Sequence, residues 1–148
     1  MRVVLAGPEM PSFQTFRRSY SAAAELVKLG VLDARQKKDF FAGIDVFALP
    51  SRSDSFGLVL LEAWANGVPN VGYRAGGVAG VIRDGEDGLL VRCGDTRGLA
   101  AALWRLAGDA ELRRRLGGAG LERTRREFHW EDKLALVEKV YHELTGRK

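Results

Sequence analysis

The residues best suited to chemistry form one stretch, Pro50-Ser51-Arg52-Ser53-Asp54-Ser55-Phe56-Gly57-Leu58-Val59-Leu60-Leu61-Glu62. It follows the strongest strand-like run, Ile44 to Leu49, and enters a helix-like pattern from Leu58 to Ala65. The stretch therefore crosses from a strand end to a helix start, the place where ligands bind in open parallel sheets. The first amides of a helix lack intrahelical acceptors and sit at the positive end of the peptide dipole, which suits a diphosphate. Gly57 has no side chain to keep a ligand from those amides. Glu62 lies about a turn and a half into the helix, among Leu58, Val59, Leu61 and Ala63. A carboxylate beside apolar neighbours needs partners. Two adjacent ribose hydroxyls would serve, because one carboxylate accepts two hydrogen bonds at once.

Purely structural readings stand beside these. Asp54 could be a helix N-cap, Glu62 an exposed helix residue, and Gly76-Gly77 a turn. Trp64, Trp104 and Trp130 recur at helical spacing and read as core or interface residues before stacking platforms. His129 and His142 fall in the terminal helices and take no catalytic role. Spacing alone gives a phosphate-friendly α/β domain.

The elements that would position this stretch follow from local patterns. Val3 to Ala6 reads as a buried strand ended by Gly7-Pro8. Ser12 is expected to cap a helix after Pro11, carrying Phe13, Phe16, Tyr20, Ala24 and Val27 and stopping at Gly30. Asp33 with Gln36 resembles a capping box for a helix through Phe40 and Phe41, with Gly43 past its end. Asn70 to Tyr73 reads as another strand, and Gly76-Gly77 open a loop before a helical turn. Asp84-Gly85 and Asp87-Gly88 mark turns around a brief strand at Leu89 to Val91. The rest is helical. Asp95 and Asp109 are candidate caps, and Gly117, Gly118 and Gly120 should each weaken the second helix by ~1 kcal/mol. The last helix aligns Trp130, Leu134, Val137, Tyr141 and Leu144 on one face and stops at Gly146. The alternation predicts an α/β fold, a Rossmann-like parallel sheet flanked by helices, with the three terminal helices packed across it.

Composition limits the class. With 148 residues, 46% of them apolar and 28% charged, the chain suits one soluble domain with a real core. No apolar run approaches the ~18–20 residues of a membrane helix, and no leader with a small-residue cleavage site is evident. Cys93 is alone, so neither a disulfide nor a cysteine-based metal site is expected, and a reducing cytoplasm fits. Net charge is +4, with much of the excess in Arg113, Arg114, Arg115, Arg123, Arg125 and Arg126. These read first as a solvated helix face, and second as a surface attracted to an anionic membrane. No aromatic-interleaved RNA motif or zinc pattern points to nucleic acid.

An ordered series of segments resembles family 4 glycosyltransferases, also called glycosyl transferases group 1. The series begins with Asp45-Val46-Phe47-Ala48-Leu49-Pro50-Ser51 and continues through Glu62-Ala63-Trp64-Ala65-Asn66-Gly67-Val68-Pro69. Gly76-Gly77-Val78, then Val81 through Val91, Gly94-Asp95, Glu111-Leu112-Arg113 and Phe128-His129-Trp130 follow in order. The family carries two Glu residues separated by seven others, with Phe-Gly just after the first. The resemblance implies the GT-B fold, two Rossmann-like lobes facing a cleft. Residues 1–148 would be a partial carboxyl-terminal, nucleotide-sugar-binding domain, without the amino-terminal acceptor lobe. It further implies that Glu62 binds the nucleotide ribose, that the amides of Phe56, Gly57 and Leu58 face the donor sugar and diphosphate, and that Val31 and Leu32 frame the base. Asp54 takes the first Glu position, which contacts donor sugar hydroxyls. The implied chemistry is retaining transfer from a nucleotide-diphosphate sugar, with no resident cofactor and no bound metal.

Three departures qualify the match. Asp54 is one methylene shorter than the usual Glu. Ala79-Gly80 replace a common Pro-Glu pair. No residue aligns with the Arg and Lys that clamp the diphosphate in the family. The chain is thus expected to be inactive alone and to need its acceptor lobe or a partner subunit. A non-catalytic nucleotide-sugar-binding or regulatory module is the alternative, and a GT-B epimerase fits the motif series less well.

Overall fold

The computed structural model describes residues 2–19 and 26–146, which fall into two compact units, Met1–Gly43 and Ile44–Lys148. In the first unit, β1 (Val3–Ala6) pairs in parallel with β2 (Leu26–Gly30), joined through α1 (Pro11–Ser19), and α2 (Ala34–Ala42) follows. Two expectations change here. Pro11 opens α1, where its missing amide costs nothing, so Ser12 lies inside the first turn instead of capping it. Val27 belongs to β2 and not to a continuing helix; Tyr20 and Ala24 lie outside the described residues. The alternation Val27-Lys28-Leu29 and pairing with β1 override a helical spacing that was coincidental. The capping box forms as expected: Asp33 Oδ1 accepts the Gln36 amide at 2.8 Å, and Gln36 Oε1 accepts the Asp33 amide at 3.0 Å.

The second unit holds a parallel sheet in the order β3-β4-β5, with β3 Phe47–Leu49, β4 Asn70–Tyr73 and β5 Gly88–Val91. Helices α3 (Leu58–Ala65) and α4 (Val78–Val81) connect the strands. The strand predicted from Ile44 pairs only from Phe47 onwards. Both sheet faces are covered. Leu90 packs with Leu60, Trp64, Val78, Val81 and Ile82, whereas its neighbour Leu89 packs with Val71, Leu106, Leu112 and Leu116. That two-residue alternation, apolar on both sides, is what a doubly covered parallel strand requires.

Helices α5 (Thr96–Gly108) and α6 (Ala110–Glu127) complete the second face, capped by Asp95 and Asp109 as expected. The glycines of α6 are not uniform weak points. A Cβ at Gly117 would overlap the Gly67 carbonyl, and one at Gly120 would overlap the Trp64 indole, whereas Gly118 faces open space. Close approach of α6 to the fully buried Trp64 thus offsets the propensity cost at two of the three positions. Helix α7 (Trp130–Thr145) departs from expectation: no residue of it is buried. Trp130 is 70% exposed and Leu144 83%, with Leu134, Val137 and Tyr141 also exposed. The two faces of the three-stranded sheet are already covered by α3 to α6, so α7 has no sheet surface left to cover. Trp104 is likewise exposed, so of the three tryptophans only Trp64 belongs to the core.

Candidate functional site

The carboxyl ends of β3, β4 and β5 carry the loops from which a site could be built. The first runs from Pro50 to Gly57 and opens α3. Gly57 is the N-cap of α3 with φ of 81°, a left-handed conformation that a side chain would oppose. No side chain caps α3. Its amino-terminal amides therefore take no side-chain cap and lie at the positive end of the helix dipole. Leu58 is exposed and Gly57 buried.

Asp54 is not the N-cap. Its Oδ1 accepts the Phe56 amide at 3.1 Å, a local turn two residues long, and its backbone oxygen accepts the Gly77 amide at 2.7 Å. The Phe56 amide is thereby engaged within the loop. Gly76 and Gly77, read from sequence as a turn, prove to be the surface on which this loop rests. A Cβ at Gly76 would sit 2.7 Å from the Asp54 carbonyl oxygen, and one at Gly77 would overlap the Ser55 carbonyl. The loops after β3 and β4 thus touch backbone to backbone, which explains two consecutive glycines there. Glu62 lies half-buried on α3, and the Asn66 side chain donates to its backbone carbonyl at 2.9 Å. Val31, exposed, and Leu32, half-buried, follow β2 in the first unit.

A buried ionic cluster supports the second unit behind the loop. Arg123, 8% exposed, donates from Nη1 to Asp87 Oδ2 at 2.7 Å and to the Val81 carbonyl at 2.6 Å, and from Nε to Glu127 Oε2 at 2.9 Å. Asp87 Oδ1 accepts the Arg83 amide, and its carbonyl accepts Trp64 Nε1 at 2.8 Å. Hydrogen bonds from Arg126 and Arg123 pull the Glu127 carboxyl down to about 2. Burial opposes the charge of Arg123, but Glu127 and Asp87 outweigh it and raise its affinity for the proton. Sequence reasoning missed this cluster because Asp87 and Arg123 lie far apart in the chain. A signal was present: Arg123 continues the buried stripe of Leu112, Leu116 and Gly120 along α6.

Other arginines of α6 also serve the fold. Arg113 donates to the Leu106 and Ala107 carbonyls at the end of α5, and Arg115 to the Gly85 carbonyl. Among the described residues no group of three or more His, Cys, Asp or Glu could hold a metal ion. No helix of the described residues is long and apolar enough to cross a membrane.

Residues 1–123 match the family model described as Glycosyl transferases group 1. The chain belongs to this family. It is 35% identical over 138 residues to N-acetyl-alpha-D-glucosaminyl L-malate synthase of Bacillus anthracis, covering 93% of this chain and 36% of that protein. It is 34% identical over 148 residues to D-inositol 3-phosphate glycosyltransferase of Corynebacterium efficiens, covering 97% of this chain and 35% of that one. Among solved structures, sucrose-phosphate synthase from Thermosynechococcus elongatus superposes with a TM-score of 0.90 at 27% identity, over 99% of this chain and 39% of that one. Anabaena HepE, solved in complex with UDP-glucose, superposes at 0.79 with 19% identity, over 98% of this chain and 41% of that chain. The parallel sheets flanked by helices are those of a GT-B glycosyltransferase, and the chain covers a lobe of the carboxyl-terminal type. The chain spans about a third of the length of the curated relatives it matches.

Proposed function

We propose that this chain supplies the donor-binding lobe of a retaining glycosyltransferase that takes a nucleotide-diphosphate sugar. The observation that carries the reading is the start of α3: an uncapped helix end, preceded by left-handed Gly57, at the carboxyl edge of the sheet in a group 1 transferase. Those amides and the helix dipole would stabilise the diphosphate as the bond to the sugar breaks. Glu62 would hold the ribose hydroxyls and Asp54 the sugar hydroxyls. UDP-glucose in HepE supports the donor class, since that protein shares the fold.

The acceptor-binding surface would lie outside these residues, in an acceptor lobe or a partner subunit, because the matched relatives are about three times as long. Transfer needs donor and acceptor in near-attack geometry, a contribution of ~7–11 kcal/mol to the barrier. The isolated chain should therefore bind donor without appreciable turnover. The proposed setting is cytoplasmic, with the basic helix α6 as the candidate contact to an anionic membrane surface. Calorimetric titration together with donor-consumption assays across UDP-, GDP- and ADP-sugars tests the reading. Binding without turnover agrees with it; robust multiple turnover by a verified monomer contradicts the half-enzyme part, and no binding of any nucleotide contradicts the whole.

A further inference from the structure

The residue next to Gly57 is held from a distant part of the chain. Phe56 meets Phe128 edge to face, with centroids 6.0 Å apart and planes at 70°. Phe128 is fixed in turn, for the Arg123 guanidinium carbon lies 5.4 Å from its centroid and 5.7 Å from that of Trp64. Arg123 is itself immobilised by Asp87, Glu127 and the Val81 carbonyl. A continuous series of contacts thus runs from the buried core through Arg123 and Phe128 to Phe56. Phe56 and Phe128 also line an open groove of 620 Å³. Phe128 is therefore a half-exposed ring beside a cleft, not a filler of the core.

We propose that Phe128 is a positioning residue of the donor site, which clamps Phe56 so that the Gly57 and Leu58 amides keep one orientation towards the diphosphate. The proposal rests on the donor-site reading given above. Without the clamp the Pro50–Gly57 loop would retain its turn bond from Asp54 but lose the aromatic contact that ties it to the α6–α7 junction.

The test uses the whole chain as wild type, Phe128→Ala and Phe128→Tyr. Amide hydrogen exchange is followed at Phe56 and, as a core reference, Val71, with amide chemical shifts at Gly57 and Leu58, alongside calorimetric affinity for UDP, GDP and ADP. Phe128→Ala should speed exchange at the Phe56 amide, which Asp54 holds, move the Gly57 and Leu58 amide shifts, leave Val71 unchanged and weaken the preferred nucleotide about two- to twelvefold. That range corresponds to ~0.5–1.5 kcal/mol for an aromatic pair. Phe128→Tyr should restore exchange and affinity. If the alanine variant loses protection at Val71, Phe128→Leu keeps most of the volume without the ring edge and is read in its place. Unchanged loop exchange overturns the clamp. Faster exchange with unchanged affinity overturns its role in positioning. A wild type that binds none of the three nucleotides overturns the donor-site reading itself, and the positioning role falls with it.

Discussion

Replacing Gly77 by alanine should disturb the donor loop far more than the same change at Gly80, three residues on in the same helical turn. Gly77 has φ of −64° and ψ of −26°, which alanine adopts readily, so backbone strain plays no part. Gly→Ala at such a site gains ~0.4–1 kcal/mol by restricting the unfolded chain. Against this, the new Cβ would overlap the Ser55 backbone carbonyl, and since its own position is fixed by the main chain neither group can turn aside. Overpacking of this kind costs about 1–3 kcal/mol. Separating the loops also strains the 2.7 Å bond from the Gly77 amide to the Asp54 carbonyl, a loss of ~0.5–1.5 kcal/mol. The net expectation for Gly77→Ala is destabilisation by roughly 1–3 kcal/mol, with nucleotide-sugar affinity reduced as the Asp54–Gly57 segment moves. Gly80 has open space where its Cβ would sit, so Gly80→Ala should be neutral or stabilising by up to ~1 kcal/mol. Urea unfolding followed by circular dichroism, with calorimetric donor titration, measures both. Equal stability and equal affinity of the two variants would show that Gly77 does not serve loop-on-loop packing.

Asp54→Ala should lose the turn bond to the Phe56 amide, about 0.5–1.5 kcal/mol by thermal unfolding, and should alter the preference between a nucleoside diphosphate and its sugar conjugate. Stability loss with an unchanged preference would leave Asp54 a turn residue only. In α6, Gly118→Ala should stabilise by up to ~1 kcal/mol, whereas Gly120→Ala should destabilise because its Cβ meets buried Trp64; denaturant midpoints that move in the same direction would contradict this. The Glu127 carboxyl titrates at about 2 when folded, below its ordinary 4.5. Its contribution to stability is complete above about pH 4.5 and is lost as pH falls towards 2. Glu127→Gln should therefore flatten the acid side of the stability curve between those values, as read from unfolding midpoints against pH; an unchanged slope would show that its arginine partners contribute nothing.

What was legible in the sequence was local. Asp33 with Gln36, Asp95 and Asp109 are N-cap signals complete within four residues, and each was found where it was expected. The α/β alternation and the Leu58–Ala65 helix were equally visible, because both faces of β5 and the start of α3 are written in neighbouring residues. The misses were matters of tertiary choice. Val27 had apolar neighbours at helical and at strand spacing, and only β1 decides between them. The stripe on α7 announces a helix but not what it covers, and among the described residues it stays unburied. Gly117 and Gly120 look like weak points until Gly67 and Trp64 are seen against them. At the site, the motif was recognisable as a strand-to-helix crossing. The rest of Gly76-Gly77 against Asp54, and Arg123 against Asp87, joins residues distant in sequence with no periodicity to reveal them.

The proposed donor site places a sugar nucleotide against α3 and its preceding loop, with Glu62 on the ribose. Calorimetric titration of wild-type chain and Glu62→Ala with UDP-, GDP- and ADP-sugars tests it most directly. Hydrogen bonds to a charged group contribute about 1.5–3 kcal/mol each. Glu62→Ala should thus weaken the preferred donor at least about tenfold with unfolding midpoints little changed. Equal affinity of the two proteins for the same donor, or no binding by the wild type, would overturn that placement.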